Sequence, residues 1–330
     1  MKAVVMTAPG DPGVLDCREM PEPQITAQGQ IKVRMRAAGV NPVDTKVRER
    51  GLFLGNPPAI LGCDGAGEVV EAGSSVEHFR PGDRVWFCHG GLGGAPGNYA
   101  EFTVLDERHA EPMPTGLSFV QAAAAPLVLI TAWESLITQG RVDDGQTVLI
   151  HAGAGGVGHV AIQIAKLRGA RVITTVGSNE KADFVRSLGA DETILYRDED
   201  FVERTLALTE GRGADLVYDT VGPRIFRRSI EATAHYGSLV TLLDPGPDVD
   251  WKEARIRNLT IQFTLMLTPW LRGLDDHWAR QNEILRQCAD WMTEGRLHVD
   301  VGQQMPLAEA AQAHRLIGEG HSRGKIVLIP

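Results

Sequence analysis

A chain of 330 residues exceeds what one hydrophobic core usually organises, so its length indicates two domains. The hydrophobic fraction of 43% and the charged fraction of 23% are typical of a globular protein, and the net charge of -9 argues against a nucleic-acid partner, because phosphate binding needs a basic surface. Neither a membrane-spanning run nor a hydrophobic signal core is visible, so we expect no membrane partner and a cytoplasmic location.

The first 124 residues contain short apolar runs separated by Gly/Pro turns, which predict β-strands. The predicted strands are Lys2–Thr7, Gln30–Ala38, Gly65–Ala72, Asp83–Phe87 and Ala100–Leu105. Their spacing is typical of a compact barrel-like or sandwich module. A glycine-rich segment, Gly90–Gly97, interrupts the strands and is predicted to be a mobile loop.

From Ala122 onward, predicted helices and strands alternate. The helices are Ala122–Gln139, which Pro126 kinks or starts, Gly156–Arg168, Glu180–Leu188, Glu199–Thr209, Arg224–Ala234 and Asp276–Thr293. The strands are Val148–His151, Arg171–Val176, Glu192–Leu195, Leu216–Tyr218 and Ser238–Leu242, with Gly324–Ile329 near the C-terminus. This alternation predicts a parallel, doubly wound sheet, after which the chain returns to the first domain.

The strand Val148–His151 runs into glycines spaced Gly153-x-Gly155-x-x-Gly158, and a helix follows. The bare backbone of such a turn lets a pyrophosphate approach the free N–H groups of the helix N-terminus, where the helix dipole favours negative charge. A strand before the glycines and a helix after them are the context that the motif requires. The sequence therefore predicts a dinucleotide site at Gly153, Gly155, Gly156, Val157 and Gly158, with His151 packed beneath the loop in no catalytic role.

Four further segments accompany the glycine loop in order and spacing: residues 37–44 (AAGVNPVD), 61–70 (LGCDGAGEVV), 80–85 (RPGDRV) and 219–222 (DTVG). Together they resemble the medium-chain dehydrogenase/reductase superfamily, and more narrowly its zinc-independent quinone oxidoreductase (zeta-crystallin-like) branch. The resemblance implies an α/β fold: a GroES-like β-rich catalytic domain of residues 1–124 and 265–330, and a Rossmann doubly wound parallel-sheet domain of residues 125–264. It also implies that the cleft between the domains holds the nicotinamide.

The choice of nicotinamide cofactor follows from charge. Enzymes that use NAD usually place an acidic residue about 20 residues past the glycines, where it binds the ribose 2′-hydroxyl. Here the strand Arg171–Val176 ends in Gly-Ser-Asn-Glu-Lys, so the strand end is small and uncharged, and Lys181 can reach a 2′-phosphate. We therefore predict NADPH, bound by Ser178 and Lys181, and the resemblance adds Tyr196. The alternative is that Ser178 only caps the helix and Lys181 faces water.

Two more cofactor contacts follow from the resemblance alone. Thr131 matches a threonine near the nicotinamide amide or the diphosphate, and its alternative is a hydroxyl bonded back to a helix carbonyl. Lys325 matches a C-terminal position that closes over the cofactor, and its alternative is a surface lysine.

Zinc-dependent members of the superfamily hold their catalytic metal with a Cys, a His-Glu pair and a further Cys or Asp. Asn41, a poor zinc ligand, stands at the first of these positions, and Cys63-Asp64 stands at the pair. We therefore expect no metal, although a site at Cys63 and Asp64, joined by Cys88 and His89, stays open. The four cysteines form no Cys-x-x-Cys pair, so neither a disulfide framework nor a structural zinc lobe is expected.

Without a Lewis acid, alcohol oxidation is disfavoured, whereas hydride transfer to an electron-poor conjugated carbon remains feasible. We therefore predict NADPH-dependent reduction of a quinone or an α,β-unsaturated carbonyl. Asn41 is the candidate hydrogen-bond donor to the substrate oxygen or cofactor ribose, or else an Asn-Pro turn residue. Asp44 is an acid or orienting group, or else a helix cap. Lys46, where many relatives carry tyrosine, is a donor or an anion-binding group, or else faces water.

The substrate is expected to be a small molecule whose identity stays open. Phe53, Trp86 and the segment Phe263–Trp270 are predicted to line its pocket as a group, although core packing explains each of them singly. The resemblance implies a homodimer through an edge strand near Gln262–Met266. Two other functions stay open: a zinc-dependent alcohol dehydrogenase, and an NADPH-binding protein with a non-catalytic role.

Overall fold

The computed structural model describes residues 1–320 and 323–330. The chain forms two compact units, one of Met1–Leu127 with Thr268–Pro330 and one of Val128–Leu267. Within the described residues, no helix is both long enough and apolar enough to cross a membrane.

The N-terminal part of the first unit is rich in strands. These are β1 (Lys2–Met6), β2 (Leu15–Glu19), β3 (Gln30–Val40), β4 (Ala59–Ile60), β5 (Asp64–Ala72), β6 (Arg84–Cys88), β7 (Phe102–Asp106) and β8 (Glu111–Pro112). Its helices are α1 (Pro42–Arg50) and α2 (Phe119–Ala123).

The second unit alternates helix and strand, as the sequence predicts. The helices of this stretch are α3 (Pro126–Trp133), which ends in a π-helical turn over Glu134–Gln139, α4 (Gly158–Leu167), α5 (Asn179–Ser187), α6 (Phe201–Leu208), α7 (Pro223–Ala232) and α8 (Trp251–Ile256). The strands are β9 (Thr147–Ile150), β10 (Arg171–Val176), β11 (Glu192–Leu195), β12 (Ala214–Asp219), β13 (Thr233–Thr241) and β14 (Thr260–Phe263).

The chain then returns to the first unit through α9 (Thr268–Arg272) and α10 (Asp275–Thr293). Strand β15 (Val301–Pro306), helix α11 (Ala310–Glu319) and strand β16 (Lys325–Ile329) complete that unit.

The sheet of the second unit has the strand order β11-β10-β9-β12-β13-β14, and every pairing is parallel. This is the doubly wound order of dinucleotide-binding folds, in which ligands bind where the strand order reverses, here between β9 and β12. Apolar side chains of the central strands, among them Leu149, Val217 and Leu239, are completely buried beneath the helices. The predicted fold class is confirmed.

The main sheet of the first unit runs β15-β16-β3-β5-β6-β8, with β7 also paired to β3. Its register brings the ends of four strands together: Val40 pairs with Ile326, Gly39 with Asp64, and Asp64 with Cys88. The residues that end β3 and β6 and begin β5 and β16 therefore lie side by side at one edge of the sheet.

The helical stretch predicted over Ala122–Gln139 is interrupted, and a new helix starts at Pro126, which is one of the two outcomes predicted for this proline. Helix α2 ends at Ala123, α3 begins with Pro126, and its last turn widens into the π-helical turn. Proline lacks an N–H and collides with the preceding helical turn, so Pro126 can begin a helix but cannot lie inside one. Several elements, among them β15 and α11, were not predicted from the sequence.

The glycine-rich segment Gly90–Gly97 is closely packed at several of its glycines, although Gly94 and Pro96 are exposed. A Cβ at Gly93 would lie 1.6 Å from the carbonyl oxygen of Leu54, and one at Gly91 would lie 2.6 Å from the backbone nitrogen of Gly62. Both glycines have positive φ angles, of 96° and 82°. The glycines therefore permit close backbone contact, which composition alone does not distinguish from flexibility.

Candidate functional site

The glycine loop between β9 and α4 is held by the neighbouring strand β10. The amide of Ala152 donates to the hydroxyl of Thr175 at 3.1 Å, and the amide of Gly153 donates to the Thr175 carbonyl at 3.0 Å. The amide of Gly155 then turns back to the carbonyl of Ala152 at 2.9 Å. The loop is thus fixed by backbone and hydroxyl groups before any ligand binds.

The three motif glycines have different reasons to be glycine. A Cβ at Gly153 would lie 2.1 Å from the Thr174 hydroxyl, and one at Gly158 would lie 2.3 Å from the Ala152 carbonyl oxygen. The nearest atom to a Cβ at Gly155 is the Ala152 carbonyl oxygen at 3.2 Å, and Gly155 is only half-buried. Gly153 and Gly158 are therefore required for packing, whereas Gly155 leaves its outer side open to a ligand.

Free backbone donors lie at the start of α4. In the described part of the chain, the amides of Gly156, Val157 and Gly158 have no hydrogen-bond acceptor. Unsatisfied amides and the helix dipole at this end favour a bound anion. The loop therefore fits the pyrophosphate of a dinucleotide.

His151 lies directly beneath this loop. Its Nε2 donates to the Ser229 hydroxyl at 3.0 Å, because the Ser229 hydrogen is given to the Ile225 carbonyl, and its Nδ1 lies 3.2 Å from the Thr175 hydroxyl. Burial lowers the pKa of His151 to about 3, so the ring is neutral. Its contacts are those of a structural residue.

The predicted 2′-phosphate residues lie around the end of β10. A Cβ at Gly177 would lie 2.6 Å from the Tyr196 hydroxyl, which places that hydroxyl directly over the strand end. Ser178 caps α5 by accepting from the Lys181 amide at 3.3 Å, and this leaves its own hydrogen free to donate. Lys181 belongs to no ion pair among residues 1–320 and 323–330. Thr131 lies on α3 and is 5% exposed.

A buried charged cluster occupies the sheet edge of the first unit. Lys325, 3% exposed, donates its ammonium hydrogens to Asn41 Oδ1 and lies 3.4 Å from Asp64 Oδ2. Asn41 Nδ2 donates to the same Asp64 oxygen at 2.9 Å, and the amide of Leu127 donates to Asp64 Oδ1 at 2.8 Å. An ammonium can only donate and a carboxylate only accept, so these partners fix the orientation of the Asn41 amide.

Burial raises the pKa of Asp64 above its ordinary value, while the Lys325 charge and three hydrogen bonds act in the opposite direction. The surface location weighed for Lys325 is wrong, since its side chain is enclosed. Asn41 and Asp44 are also completely buried, which favours a positioning role for both.

Asp44 lies in the first turn of α1 and connects to a second buried chain of hydrogen bonds. Its Oδ2 accepts from the backbone amide of Asn41 at 2.8 Å, as a helix cap does, and from the Tyr99 hydroxyl at 3.0 Å. The Tyr99 oxygen lies 3.3 Å from Nε2 of His314. Because Tyr99 gives its hydrogen to Asp44, a neutral His314 must carry its own hydrogen on Nε2 and donate it to Tyr99.

Tyr99 and His314 have no counterpart in the sequence predictions. They are separated by 215 residues, and no local motif marks either of them. Burial lowers the pKa of His314 to about 3 and raises that of Asp44 to about 6.

Two thiols adjoin these carboxyl groups. Cys63 lies 3.6 Å from Asp44 Oδ1, and Cys88 pairs with Asp64 in the strand register. Burial and the two carboxyl groups raise the pKa of both thiols well above its ordinary value, which favours the neutral form. Zinc requires deprotonated thiolates in a converging set, and the described residues contain no group of three or more His, Cys, Asp or Glu side chains so arranged. With an amide and an ammonium at its centre, this donor set does not fit zinc.

The remaining predicted residues differ in exposure. Lys46 is half-buried on α1, where burial and then Arg50 lower its pKa, and none of the ion pairs among the described residues includes it. Phe53 is 53% exposed, whereas Trp86 is completely buried on β6 and packs in the sheet. Trp86 is therefore a core residue.

The motif glycines yield a first prediction. Gly158→Ala places a methyl group against the Ala152 carbonyl, so we expect a clear fall in melting temperature. Gly155→Ala meets no contact below 3.2 Å, so it should leave the melting temperature nearly unchanged but weaken NADPH binding by at least about tenfold, because the methyl group blocks pyrophosphate approach. Thermal unfolding and fluorescence titration measure the two effects. Equal losses of stability in both variants would contradict this division of roles.

Asp44 yields a prediction on pH. Its pKa is about 6 in the folded state against an ordinary value of 3.8, so its contribution to stability is complete below the lower value and is lost as pH rises through the higher one. Asp44→Asn should therefore reduce the fall in unfolding free energy between about pH 4 and about pH 6, by up to about 3 kcal/mol. Urea unfolding across this range measures it, with exposed Asp16→Asn as control. Parallel profiles for wild type and Asp44→Asn would show that the carboxyl does not titrate there.

Two family models and several known proteins match this chain. Residues 27–115 match the family model described as alcohol dehydrogenase GroES-like domain, and residues 188–328 match the one described as zinc-binding dehydrogenase. A quinone oxidoreductase of Pseudomonas aeruginosa is 36% identical, over 100% of this chain and 99% of its own. A 2-haloacrylate reductase of Burkholderia sp is 34% identical, over 92% of this chain and 91% of its own.

Among solved structures, the Escherichia coli quinone oxidoreductase complexed with NADPH has a TM-score of 0.90 to this chain at 30% identity, with 100% of both chains covered. Sequence and fold therefore agree over the full length. This chain belongs to the medium-chain dehydrogenase/reductase superfamily, within its quinone oxidoreductase branch.

Proposed function

We propose that this protein is an NADPH-dependent reductase of quinones or α,β-unsaturated carbonyl compounds that works without a metal. One observation carries the proposal: the Lys325 ammonium is hydrogen-bonded within a cluster whose donors do not fit zinc. Similarity to a quinone oxidoreductase and to a 2-haloacrylate reductase supports both substrate classes. Quinones and α,β-unsaturated carbonyl compounds each contain an electron-poor carbon conjugated to a carbonyl group.

The proposed cofactor is NADPH, which when bound supplies the hydride. The free amides of Gly156, Val157 and Gly158 would bind its pyrophosphate. Ser178, Lys181 and Tyr196 would bind the 2′-phosphate through two hydroxyls and one ammonium group. The strand end itself is uncharged, and Glu180 in the first turn of α5 is an acidic side chain that acts against this preference. Thr131 is proposed as a further contact.

Reduction of a conjugated carbonyl develops negative charge on its oxygen, and hydrogen-bond donors stabilise that charge. Of the three candidates on or before α1, only Lys46 is partly exposed, so we assign it the contact with the substrate oxygen or an anionic substrate group. Asn41 and Asp44 hold the first turn of α1 in place through their buried contacts. A 10-fold or greater fall in kcat/KM in Lys46→Ala, with NADPH affinity retained, is the expected sign of this role; an unchanged kcat/KM would remove Lys46 from the site.

The direct test is to follow NADPH and NADH oxidation in the presence of a chelator, with quinones, enones, saturated aldehydes and alcohols as substrates. We expect turnover only with the first two classes and a preference for NADPH. Lys181→Ala should reduce that preference by about 10-fold or more through loss of the charge at the 2′-phosphate, while exposed Lys252→Ala should not. Zinc-dependent oxidation of alcohols, or a tenfold preference for NADH, would contradict the proposal.

A homodimer is part of the proposal. Strand β14 forms an edge of the six-stranded sheet, and Phe263 and Leu265, at and just beyond its end, are 57% and 52% exposed. An exposed edge strand with apolar side chains is a template for pairing with another chain. We expect sedimentation to give twice the chain mass of 35.8 kDa, and the Phe263→Lys/Leu265→Lys variant to be monomeric. Exposed Tyr236→Lys is the control, and a monomeric wild type would refute this assembly.

A cytoplasmic location is likewise proposed. All four cysteines are free, and Cys63 and Cys288 are buried as thiols, which is the usual state in a reducing compartment. Cell fractionation checks it, and recovery outside the cytoplasm would contradict it.

A further inference from the structure

The buried cluster of the first unit contains ligand types that usually hold a metal ion. Cys63, Cys88, Asp44 and Asp64 supply two thiols and two carboxyl groups; Cys63, Asp44 and Asp64 are completely buried, and Cys88 is partly exposed. Buried carboxylates need a compensating positive charge. In this chain that charge is the ammonium of Lys325, 3% exposed.

The fold places Lys325 there by strand register. Ile326 pairs with Val40, so the residues next to them, Lys325 and Asn41, adjoin at the sheet edge. Gly39 pairs with Asp64, and a Cβ at Gly39 would lie 2.3 Å from the Ala123 carbonyl oxygen and 3.0 Å from Asp64 Cβ, so only glycine leaves space for the carboxyl group. The strand register of the sheet therefore determines the position of the Lys325 ammonium.

We propose that Lys325 is a tethered cation that takes the place of a metal ion: it fixes Asn41 and Asp64 and excludes divalent metals from the thiol-carboxylate cluster. An ammonium and a divalent ion cannot share one site, because like charges in a buried environment repel strongly. Lys325 therefore acts as a positioning residue. Its role in turnover rests on the proposed function, whereas its exclusion of metal does not.

The test compares four proteins: wild type, Asn41→Cys, Lys325→Met and the double variant. Asn41→Cys adds a third thiol beside Asp64 and Cys88, and Lys325→Met removes the ammonium while keeping the length of the side chain. Each protein is titrated with Co²⁺, because thiolate ligation produces an intense charge-transfer absorption. This measurement needs neither substrate nor NADPH.

We expect the double variant to bind one Co²⁺ per chain with thiolate absorption, at least about 100-fold more tightly than Asn41→Cys with its ammonium intact. The matched control is Asn41→Cys/Lys32→Met. Lys32 is 6% exposed and pairs at 2.7 Å with Glu22, whose side chain is 44% exposed, so its change to Met removes another enclosed ammonium of the same unit away from the thiols. This control should bind Co²⁺ no better than Asn41→Cys.

Equal Co²⁺ affinity in Asn41→Cys and the double variant would overturn the proposal, as would a folded double variant that binds no metal. Lys325→Gln replaces Lys325→Met where the latter fails to fold. Variants that fold only when metal is added support the proposal, and variants that fold under neither condition contradict it, because the ammonium would then serve folding alone.

A second measurement separates this role from direct contact with the cofactor. If Lys325 is a positioning residue, the Lys325→Met substitution should lower kcat for a quinone at least about tenfold, while the Kd for NADPH changes less than threefold. A tenfold rise in that Kd with kcat retained would assign Lys325 to the cofactor instead. Absence of quinone turnover in the wild type would refute the proposed function and leave the Co²⁺ result standing.

Discussion

The contact of the Lys325 ammonium with Asn41 and Asp64 governs the chemistry open to this protein. A charge with almost no access to water persists only where paired and hydrogen-bonded, and loss of one partner from such a pair costs roughly 3–5 kcal/mol. The register of β16, β3 and β5 meets that condition, and Leu127 satisfies the second carboxylate oxygen. The ammonium lies beside the buried Asp64 carboxyl, and in our proposal it takes the place of a metal ion, so that the reaction relies on hydrogen-bond donors.

The candidate pyrophosphate site of the second unit consists of neutral groups, with no buried charged side chain in the loop. Its glycine loop offers backbone amides to the anion. Of the three motif glycines, Gly153 and Gly158 are required for packing, whereas Gly155 leaves space for a ligand. His151 and Thr175 hold the loop from below through neutral groups, so no charged side chain competes with a pyrophosphate. The only formal positive charge that we assign to this half of the cofactor site is Lys181, which we propose binds the 2′-phosphate that distinguishes NADPH from NADH.

The glycine loop and the doubly wound sheet could be predicted because their determinants are local: a buried strand, a turn and an amphipathic helix follow one another along the chain. The buried cluster could not, because it depends on pairing between strands up to 284 residues apart, as in the contact of Lys325 with Asn41. Sequence motifs identified both residues but assigned Asn41 to the substrate or the cofactor ribose and Lys325 to the cofactor, and predicted no contact between the two residues. Tyr99 and His314 were missed for the same reason, and the Gly90–Gly97 segment shows that glycine content does not separate close packing from mobility.

The central claim is that hydride reaches a conjugated carbon without a metal. Metal-depleted protein in the presence of chelator should be given NADPH carrying deuterium in both C4 positions together with an α,β-unsaturated ketone, and the product analysed by mass spectrometry and NMR. The account predicts one deuterium per product molecule, at the carbon β to the carbonyl, at a rate that added zinc does not increase. Product without deuterium, or deuterium transfer that begins only when zinc is restored, would contradict it.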